Sequence, residues 1–317
     1  MRPSDTADPR SDEIVQSGEA DSSGGRSMVA PAWCRNWRGG SAMTDDNNIL
    51  RKFDPAVPNV ARIYDYLLGG RDNLPADRDA AEELIAALPD AAIAANHNRE
   101  FLRRAVRTLA RDSDIRQFID IGTGLPTRGN VHEIAQRWAS DARVLYVDYD
   151  AVVVEHAQAL LADNPTTVAI NRDLRRPDDI LNHPALRALI DLNEPVALLM
   201  VAVLHFIEDA EDPYSAVDRL KEAMAPGSYL VLSHVTPDDI SPDVAARVRK
   251  LYEHTSAPGV ARTRAEIARF FSGLEVVPPG LVNVSSWRPG IRYPEDRGTR
   301  TLFYAGMGRK GHRGGAR

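Results

Sequence analysis

Residues 117–127 have the sequence QFIDIGTGLPT, an apolar run that leads into a Gly-x-Gly turn. The β-branched and aromatic residues before the turn predict a strand, Gln117–Ile121, and the apolar spacing of Val131–Trp138 predicts a helix after it. A strand, a glycine turn and a helix bring bare backbone amides to the carboxyl end of a sheet, where open α/β folds bind ligands. The stretch therefore predicts an α/β fold with a ligand site at Gly122 and Gly124.

Outward from this turn, short apolar runs alternate with amphipathic stretches, which is typical of a doubly wound parallel sheet. Two last runs, 274–277 and 301–307, have no helix between them and should pair antiparallel at one sheet edge. The predicted strands of the alternating part are 144–147, 167–171, 196–203 and 229–234, and the predicted helices are 152–161, 186–192, 216–224 and 244–252.

The chain before the sheet divides into a tail and a helical section. Residues 1–48 are rich in Ser, Gly, Asp, Pro and Arg without apolar periodicity, which predicts disorder, and Met43 is a possible start of translation. Helical spacing over 60–67, 80–88 and 101–109 predicts a helical extension of about 55–112. We expect one domain over 49–308, followed by a basic disordered tail at 309–317.

Composition narrows the class of protein. The net charge is −6 and no basic stripe is present, so a nucleic-acid partner is not expected. Cys34 is the single cysteine, which excludes a disulfide within one chain and favours a reducing, cytoplasmic location. The longest wholly apolar run, 196–204, is shorter than the roughly 20 residues of a membrane-spanning helix. Composition leaves the oligomeric state open.

An acid after the second predicted strand indicates which ligand the glycine turn binds. Asp148 lies 24 residues beyond Gly124, close to the distance at which an acid reaches a ribose. The third glycine of a dinucleotide fingerprint is replaced by Thr127, and Pro126 lacks an N–H for a phosphate. A phosphate-free adenosine ligand fits better, and S-adenosylmethionine is such a ligand.

Two further strand ends carry candidate site residues. Asp173 could accept a hydrogen bond from an adenine amino group while Leu174 packs on the ring; alternatively, Asp173 caps the turn before Pro177. His205 follows the fourth strand, where cofactor and substrate meet in doubly wound sheets. It is either a proton acceptor or substrate-positioning group, or a structural histidine.

The chain also resembles a family of bacterial S-adenosyl methyltransferases. The resemblance rests on PNVARIYDYLLGGRDN at 58–73, FIDIGTGLPT at 118–127, YVDYD at 146–150 and GSYLVLSH at 227–234, and it covers roughly 54–307. It implies a Rossmann-like class I methyltransferase fold, a seven-stranded sheet with an antiparallel edge strand, and S-adenosylmethionine as cofactor. Carried over by residue, the cofactor positions are Asp120, Gly122, Gly124, Asp148, Asp173 and Leu174.

The motif at 58–73 combines polar groups with a Gly69-Gly70 pair. The glycines could simply close a helix in a left-handed cap. We hypothesise instead a lid over the cofactor, in which Arg71 or Arg62 pairs with the cofactor carboxylate and Tyr64 forms a wall of the acceptor pocket. His97, Asn98 and Arg99 are expected to open the next long helix and to offer anion-binding groups near its N-terminus.

These observations predict a methyltransferase that acts on an O, N or C nucleophile of a small molecule. His205 is the first candidate for a general base and Tyr64 the second, and no sequence pattern with metal-ligand spacing is visible. Two alternatives stay open. One is a non-catalytic, cofactor-binding regulatory protein; the other, disfavoured by Thr127, is an NAD-dependent oxidoreductase.

Overall fold

The computed structural model of the protein describes residues 54–126, 129–289 and 300–311. The predicted tail at 1–48 with Met43, residue Thr127, and 312–317 of the predicted basic tail lie outside the described residues. The described residues all belong to one unit, which spans Met43–Arg317.

The strands of this unit carry the predicted alternation. Their bounds are β1 (Gln117–Ile121), β2 (Arg143–Asp148), β3 (Thr167–Asn171), β4 (Ala197–Val201), β5 (Tyr229–Val235), β6 (Glu275–Val276), β7 (Val282–Asn283) and β8 (Phe303–Arg309).

Within the described residues these eight strands form one sheet in the order β3-β2-β1-β4-β5-β8-β6, with β7 also paired to β8. The first five are parallel, and β8 runs antiparallel to β5. The predicted antiparallel edge pair is present as β6 and β8. The sheet exceeds the expected seven strands because the two-residue β7, Val282–Asn283, lies in the loop that the sequence left unassigned.

The helices lie before and between the strands. Their bounds are α1 (Val60–Leu67), α2 (Pro75–Ala87), α3 (Ala91–Asp112), α4 (Val131–Trp138), α5 (Ala151–Leu161), α6 (Pro177–Leu181), α7 (Pro184–Leu189), α8 (Pro213–Ala223), α9 (Pro242–Tyr252) and α10 (Arg264–Arg269). The sequence analysis missed α6 and α10, although Thr263 and Glu266 form a capping box that signals the start of α10.

The sheet is buried on both faces, which is why its strands read as nearly continuous apolar runs. Successive side chains alternate between two cores: Phe118 of β1 packs with α3 and α4, while Ile119 and Ile121 pack on the opposite face. On the first face α3 contributes Phe101, Leu102, Ala105, Val106 and Leu109, the positions that its helical spacing predicts. The carboxyl ends of the parallel strands are thereby held at one edge.

Buried polar contacts hold the helical section together. Asp77 is fully buried in α2; it accepts hydrogen bonds from the Asn59 and Leu74 amides and from Arg62 Nε, the last at 2.6 Å. Asp65 in α1 accepts from the Asp72 amide and from Asn73 Nδ2. Much of the polar density at 58–73 is therefore internal to the fold.

Both glycines of the motif have a structural reason. Gly69 follows α1 with φ +75°, the left-handed cap that the sequence allowed. A Cβ on Gly70 would lie 1.9 Å from Asp65 Oδ1, so only glycine leaves room for that carboxylate.

In the described residues no helix combines the length and apolar character that crossing a membrane requires.

We expect Asp77→Ala to lower the free energy of unfolding by about 3–5 kcal/mol, because it removes the carboxylate partner of a buried guanidinium and the acceptor of two amides. Urea unfolding at pH 7 measures this loss. Asp79→Ala, on the exposed side of the same helix, is the control and should change stability by less than about 0.5 kcal/mol. Equal losses in the two variants would contradict the structural role of Asp77.

Candidate active site

A cavity of about 840 Å³ lies over the carboxyl ends of the parallel strands. Its floor includes the ends of β1, β2, β4 and β5, and its walls include α1, α3 and α9. The helical section expected to act as a lid therefore forms one side of this cavity. The site lies where doubly wound sheets bind their ligands.

The glycine turn is held in place by two neighbouring strands. Gly122 has φ +72°, and its N–H donates to the Val147 carbonyl of β2 at 2.8 Å. A Cβ on Gly122 would lie 2.2 Å from Val203 Cγ2, beyond the end of β4. Glycine is thus required here by both backbone conformation and space. Gly124 has φ +62° and open space around its Cβ position, which leaves the backbone accessible from the cavity it lines.

Asp148 lies at the predicted place at the end of β2 and lines the cavity. Its Oδ2 accepts the Gly124 N–H at 3.0 Å, and its Oδ1 accepts the Asp150 N–H at 3.0 Å. Burial raises the pKa of this carboxyl to about 6, although backbone hydrogen bonds from Asp150 and Gly124 act in the opposite direction. The acid is therefore positioned by the glycine turn itself.

Asp120 and Arg99 bring opposite charges to the same wall. Burial raises the pKa of the Asp120 carboxyl to about 7, and the neighbouring Arg99 charge offsets only part of this shift. Arg99 donates from Nη2 to the Gly129 carbonyl and to Asn130 Oδ1, each at 3.3 Å. Its Nε is buried without a hydrogen-bond partner. This cationic group therefore has donor capacity for an anionic ligand beside the glycine turn.

Asp173 and Leu174 line the cavity after β3, but the Asp173 carboxylate is already paired. It accepts from the backbone and side chain of Arg175, which also pairs with Glu211 at 2.6 Å. Partial burial acts to raise the pKa of Asp173, but the hydrogen bonds from Arg175 outweigh it and the pKa lies below its usual value. Asp173 thus keeps its charge and stabilises this turn, as the second interpretation predicts. Its contact with an adenine stays a prediction.

His205 lies in the 3₁₀ turn Leu204–Phe206 and lines the cavity. The side chain is buried, and its Nδ1 has no hydrogen-bond partner. Burial lowers the pKa of His205 well below its usual value, and the nearby His234 and Arg262 lower it further. The imidazole is therefore neutral at physiological pH, and no ring nitrogen is committed to a hydrogen bond within the described residues.

A buried arginine shapes the turn that carries His205. Arg262, which is only 2% exposed, donates to the Leu204 and Ile207 carbonyls and pairs with Asp209 at 2.6 Å. It also contacts His234 Nε2 at 2.9 Å, while His234 Nδ1 lies 2.7 Å from the Val235 carbonyl. Because Arg262 can only donate, Nε2 is the acceptor and Nδ1 carries the hydrogen. The sequence analysis did not single out Arg262, since its partners are distant in the chain.

Tyr64 lines the cavity as expected, but its hydroxyl is committed. The hydroxyl donates to the Ala95 carbonyl at 3.1 Å and accepts from Asn98 Nδ2 at 2.9 Å. Asn98 Oδ1 in turn accepts the Ser233 hydroxyl of β5. Burial raises the pKa of Tyr64 above its usual value, which opposes a role as general base. The geometry favours Tyr64 as a wall residue.

Two arginines that the sequence analysis placed near the cofactor carboxylate do not line the cavity. Arg71 is exposed and is not among the residues that line the cavity. Arg62 is buried against Asp77 and does not line the cavity either. Arg99 does, but within α3 and not at its start, since that helix already begins at Ala91.

Comparisons with known proteins agree with this geometry. A family model described as S-adenosyl methyltransferase matches residues 46–311. A crystal structure from Thermobifida fusca, provisionally assigned as a methyltransferase, is 41% identical; the match covers 81% of this chain and 96% of that one, with a TM-score of 0.76.

A DUF574 family protein from Streptomyces avermitilis is equally similar, at 41% identity and a TM-score of 0.76, with 81% of this chain and 99% of that chain covered. No curated protein matches the chain. The matched region includes the glycine turn, Asp148 and the whole described sheet, so the expected fold and cofactor are confirmed. The chain belongs to the S-adenosyl methyltransferase family and has the class I methyltransferase fold.

Proposed function

We propose that this S-adenosylmethionine-dependent methyltransferase acts on a small molecule bound in the cavity at the carboxyl edge of the sheet. The observation that carries the proposal is the continuity of the cavity: it begins at the glycine turn and Asp148 and extends past His205. Its volume of about 840 Å³ lies in the upper part of the ~300–1,000 Å³ range of small-molecule sites. Such a cavity can hold a cofactor and a second compound side by side.

The residues around the glycine turn fit the cofactor. We assign Asp148 to the ribose hydroxyls, Gly122 and Gly124 to backbone contacts, and Asp120 to the cofactor ammonium group. Asp173 and Leu174 are assigned to the adenine. The raised pKa values of Asp120 and Asp148 support these roles, because buried carboxyls gain most from a ligand that brings positive charge or hydroxyl donors.

Arg99 replaces Arg71 in our assignment for the cofactor carboxylate. Arg99 lines the cavity beside Asp120 and has a buried Nε without a hydrogen-bond partner, whereas Arg71 is exposed. A guanidinium can pair with a carboxylate through two N–H groups. The combination of Arg99 with Asp120 matches the two charges of an amino-acid tail.

The cofactor supplies a methyl group that is already activated as a sulfonium. The chain has to bind and align the two reactants and to exclude water. Most of the rate gain then comes from the proximity and orientation of the reactants. His205, as a neutral imidazole in the cavity wall, is our candidate for holding a proton of the acceptor. Helices α1 and α3 would close over the bound cofactor.

The other features of the proposal follow from sequence and relatives. The net charge of −6 does not favour binding of a nucleic acid, which agrees with a small-molecule acceptor. A bacterial, cytoplasmic enzyme agrees with the source of its relatives and with the single Cys34. The alternative of a non-catalytic, cofactor-binding protein predicts cofactor binding without methyl transfer, so labelled cofactor with metabolite extract separates the two.

The protein should bind S-adenosylhomocysteine and bind NAD much more weakly, as isothermal calorimetry can measure.

Asp148→Ala should weaken S-adenosylhomocysteine binding roughly 10- to 150-fold, the worth of hydrogen bonds to a charged group. Asp163→Ala, on the exposed surface, is the control. Hydrogen exchange of the same samples should show amides of α1 slowing when ligand binds. Tighter binding of NAD would overturn the assignment of the site.

Arg99→Ala should weaken S-adenosylhomocysteine binding roughly 10- to 150-fold but adenosine binding less than about 3-fold, because adenosine has no carboxylate. Arg71→Ala is the matched control and should leave both affinities within about 2-fold. Calorimetry gives the four ratios, and thermal unfolding checks that each variant is folded. Equal losses for the two ligands would remove Arg99 from the carboxylate role.

Asp120→Asn should have opposite effects on stability and on binding. Because the folded-state pKa of about 7 lies above the ordinary value, ionising Asp120 costs stability that is intact below about pH 4 and is lost as the pH rises to about 7. The variant should therefore be more stable than wild type at pH 8, by about 2–4 kcal/mol, and similar at pH 4.5.

Its affinity for S-adenosylhomocysteine should fall roughly 10-fold, because the amide does not pair with an ammonium group. Urea unfolding at the two pH values and calorimetry at pH 8 measure both effects. A variant that loses stability at pH 8 would contradict the burial cost assigned to Asp120.

A further inference from the structure

The cavity continues beyond the part assigned to the cofactor. In the sheet order β3-β2-β1-β4-β5-β8, the cofactor residues follow β1, β2 and β3, whereas β5 and β8 lie on the other side of β4. Adjacent strands are about 4.8 Å apart, so the end of β5 lies roughly 14 Å from the end of β2. We call the part lined by the end of β5, the start of β8 and α9 the distal half.

Apolar side chains form most of the walls of the distal half, beside the hydroxyls of Thr236 and Tyr252. Val235 ends β5, and Phe303 is its antiparallel partner at the start of β8. Pro237 and Ile240 follow β5, and α9 adds Val248 and Tyr252, among others. A ligand in this half therefore gains free energy mainly by removing apolar surface from water.

Charged groups in the cavity wall are concentrated on the cofactor side. Asp120 and Asp148 lie at the carboxyl ends of β1 and β2, Asp173 follows β3, and Glu211 is paired with Arg175. Among the described lining residues that β5, β8 and α9 contribute, the single permanently charged side chain is Arg249, and it is exposed. A buried charge on the ligand would find no partner deep in the distal half, at a large desolvation cost.

His205 provides the polar atom between the two halves. The residue lines the cavity, and its Nδ1 is buried without a hydrogen-bond partner. Its ring lies 4.3 Å from the Phe206 ring and 6.0 Å from the Phe303 ring, centroid to centroid. The clamp that Arg262 makes on the Leu204 and Ile207 carbonyls holds this turn on both sides of His205. The imidazole ring is thus held in place among aromatic side chains.

We propose that the distal half binds an uncharged aromatic compound with a hydroxyl group, and that a ring nitrogen of His205 accepts the hydrogen bond from that hydroxyl. The inference rests on the proposed function, because this compound would be the methyl acceptor. Because most of the wall is apolar, the compound should be uncharged and largely apolar. The aromatic rings around His205 favour a planar ring in offset or edge-to-face contact. The unpartnered nitrogen selects the hydroxyl, since a buried polar atom without a partner is costly.

Three probes of similar size test the proposal by binding, without turnover: 2-naphthol, 2-methylnaphthalene and 2-naphthoate. Fluorescence titration of the wild-type protein saturated with S-adenosylhomocysteine gives the dissociation constants. We expect 2-naphthol to bind roughly 2- to 13-fold more tightly than 2-methylnaphthalene, the worth of one neutral hydrogen bond. The 2-naphthoate anion should bind more than roughly 100-fold more weakly than 2-naphthol.

Two variants connect the preference to His205. His205→Phe keeps a ring of similar size and should abolish the difference between 2-naphthol and 2-methylnaphthalene. His205→Gln keeps an acceptor and should retain part of it. If His205→Phe fails to fold, as judged by thermal unfolding and S-adenosylhomocysteine affinity, the wild-type ratios and the Gln variant still decide the question.

Several outcomes would overturn the inference. They are equal binding of 2-naphthol and 2-methylnaphthalene, failure of all three probes to bind, an unchanged preference in His205→Phe, or tight binding of 2-naphthoate that Arg249→Gln removes. Calorimetry with S-adenosylhomocysteine is read separately. Normal cofactor binding with any of these outcomes rejects the acceptor class alone, whereas loss of cofactor binding with selective 2-naphthol binding rejects the proposed function.

Discussion

The arrangement of the site depends on the tight contact of Gly122 with its two neighbours. Its N–H is bound to the Val147 carbonyl, and its Cα faces Val203 with no room for a Cβ. This contact brings the turn after β1 against the end of β2 and the segment after β4. Asp148 follows Val147 directly, and His205 lies two residues after Val203. The cofactor side and the acceptor side of the cavity are therefore located by the same close approach of backbone.

Burial then determines the electrostatics of the cavity. The same desolvation raises the pKa values of Asp120 and Asp148 and lowers those of His205 and His234, the latter to about 3. Buried carboxyls with raised pKa values bind hydrogen-bond donors or positively charged groups favourably, and neutral imidazoles can accept hydrogen bonds. A site with these properties suits a cationic cofactor beside an uncharged acceptor.

The helical section combines apolar packing with a buried ion pair and with hydrogen bonds from amide side chains. Asp77 binds Arg62 within the section, and Asn59 donates to Asp150 next to β2 at 2.8 Å. Ser233 and Asn98 join β5 to α3 across the cavity wall. Such pairs are expensive to bury, and breaking one leaves an unmatched polar group. Two of these contacts connect the helices beside the site to the sheet, at the end of β2 and at β5.

The sequence by itself determined the local features of this protein. The order of strands, turn and helices, the glycine positions and the spacing from Gly124 to Asp148 all follow from short-range patterns, because periodicity and backbone conformation are local properties. The motif at 58–73 additionally indicated the family. The tertiary structure alone decided which side chains share the cavity. It turned Arg71 outward and brought Arg99 to Asp120, and it placed Arg262 beside His234, 28 residues earlier in the chain. These contacts depend on how helices pack across the sheet edge, and no local spacing encodes that packing.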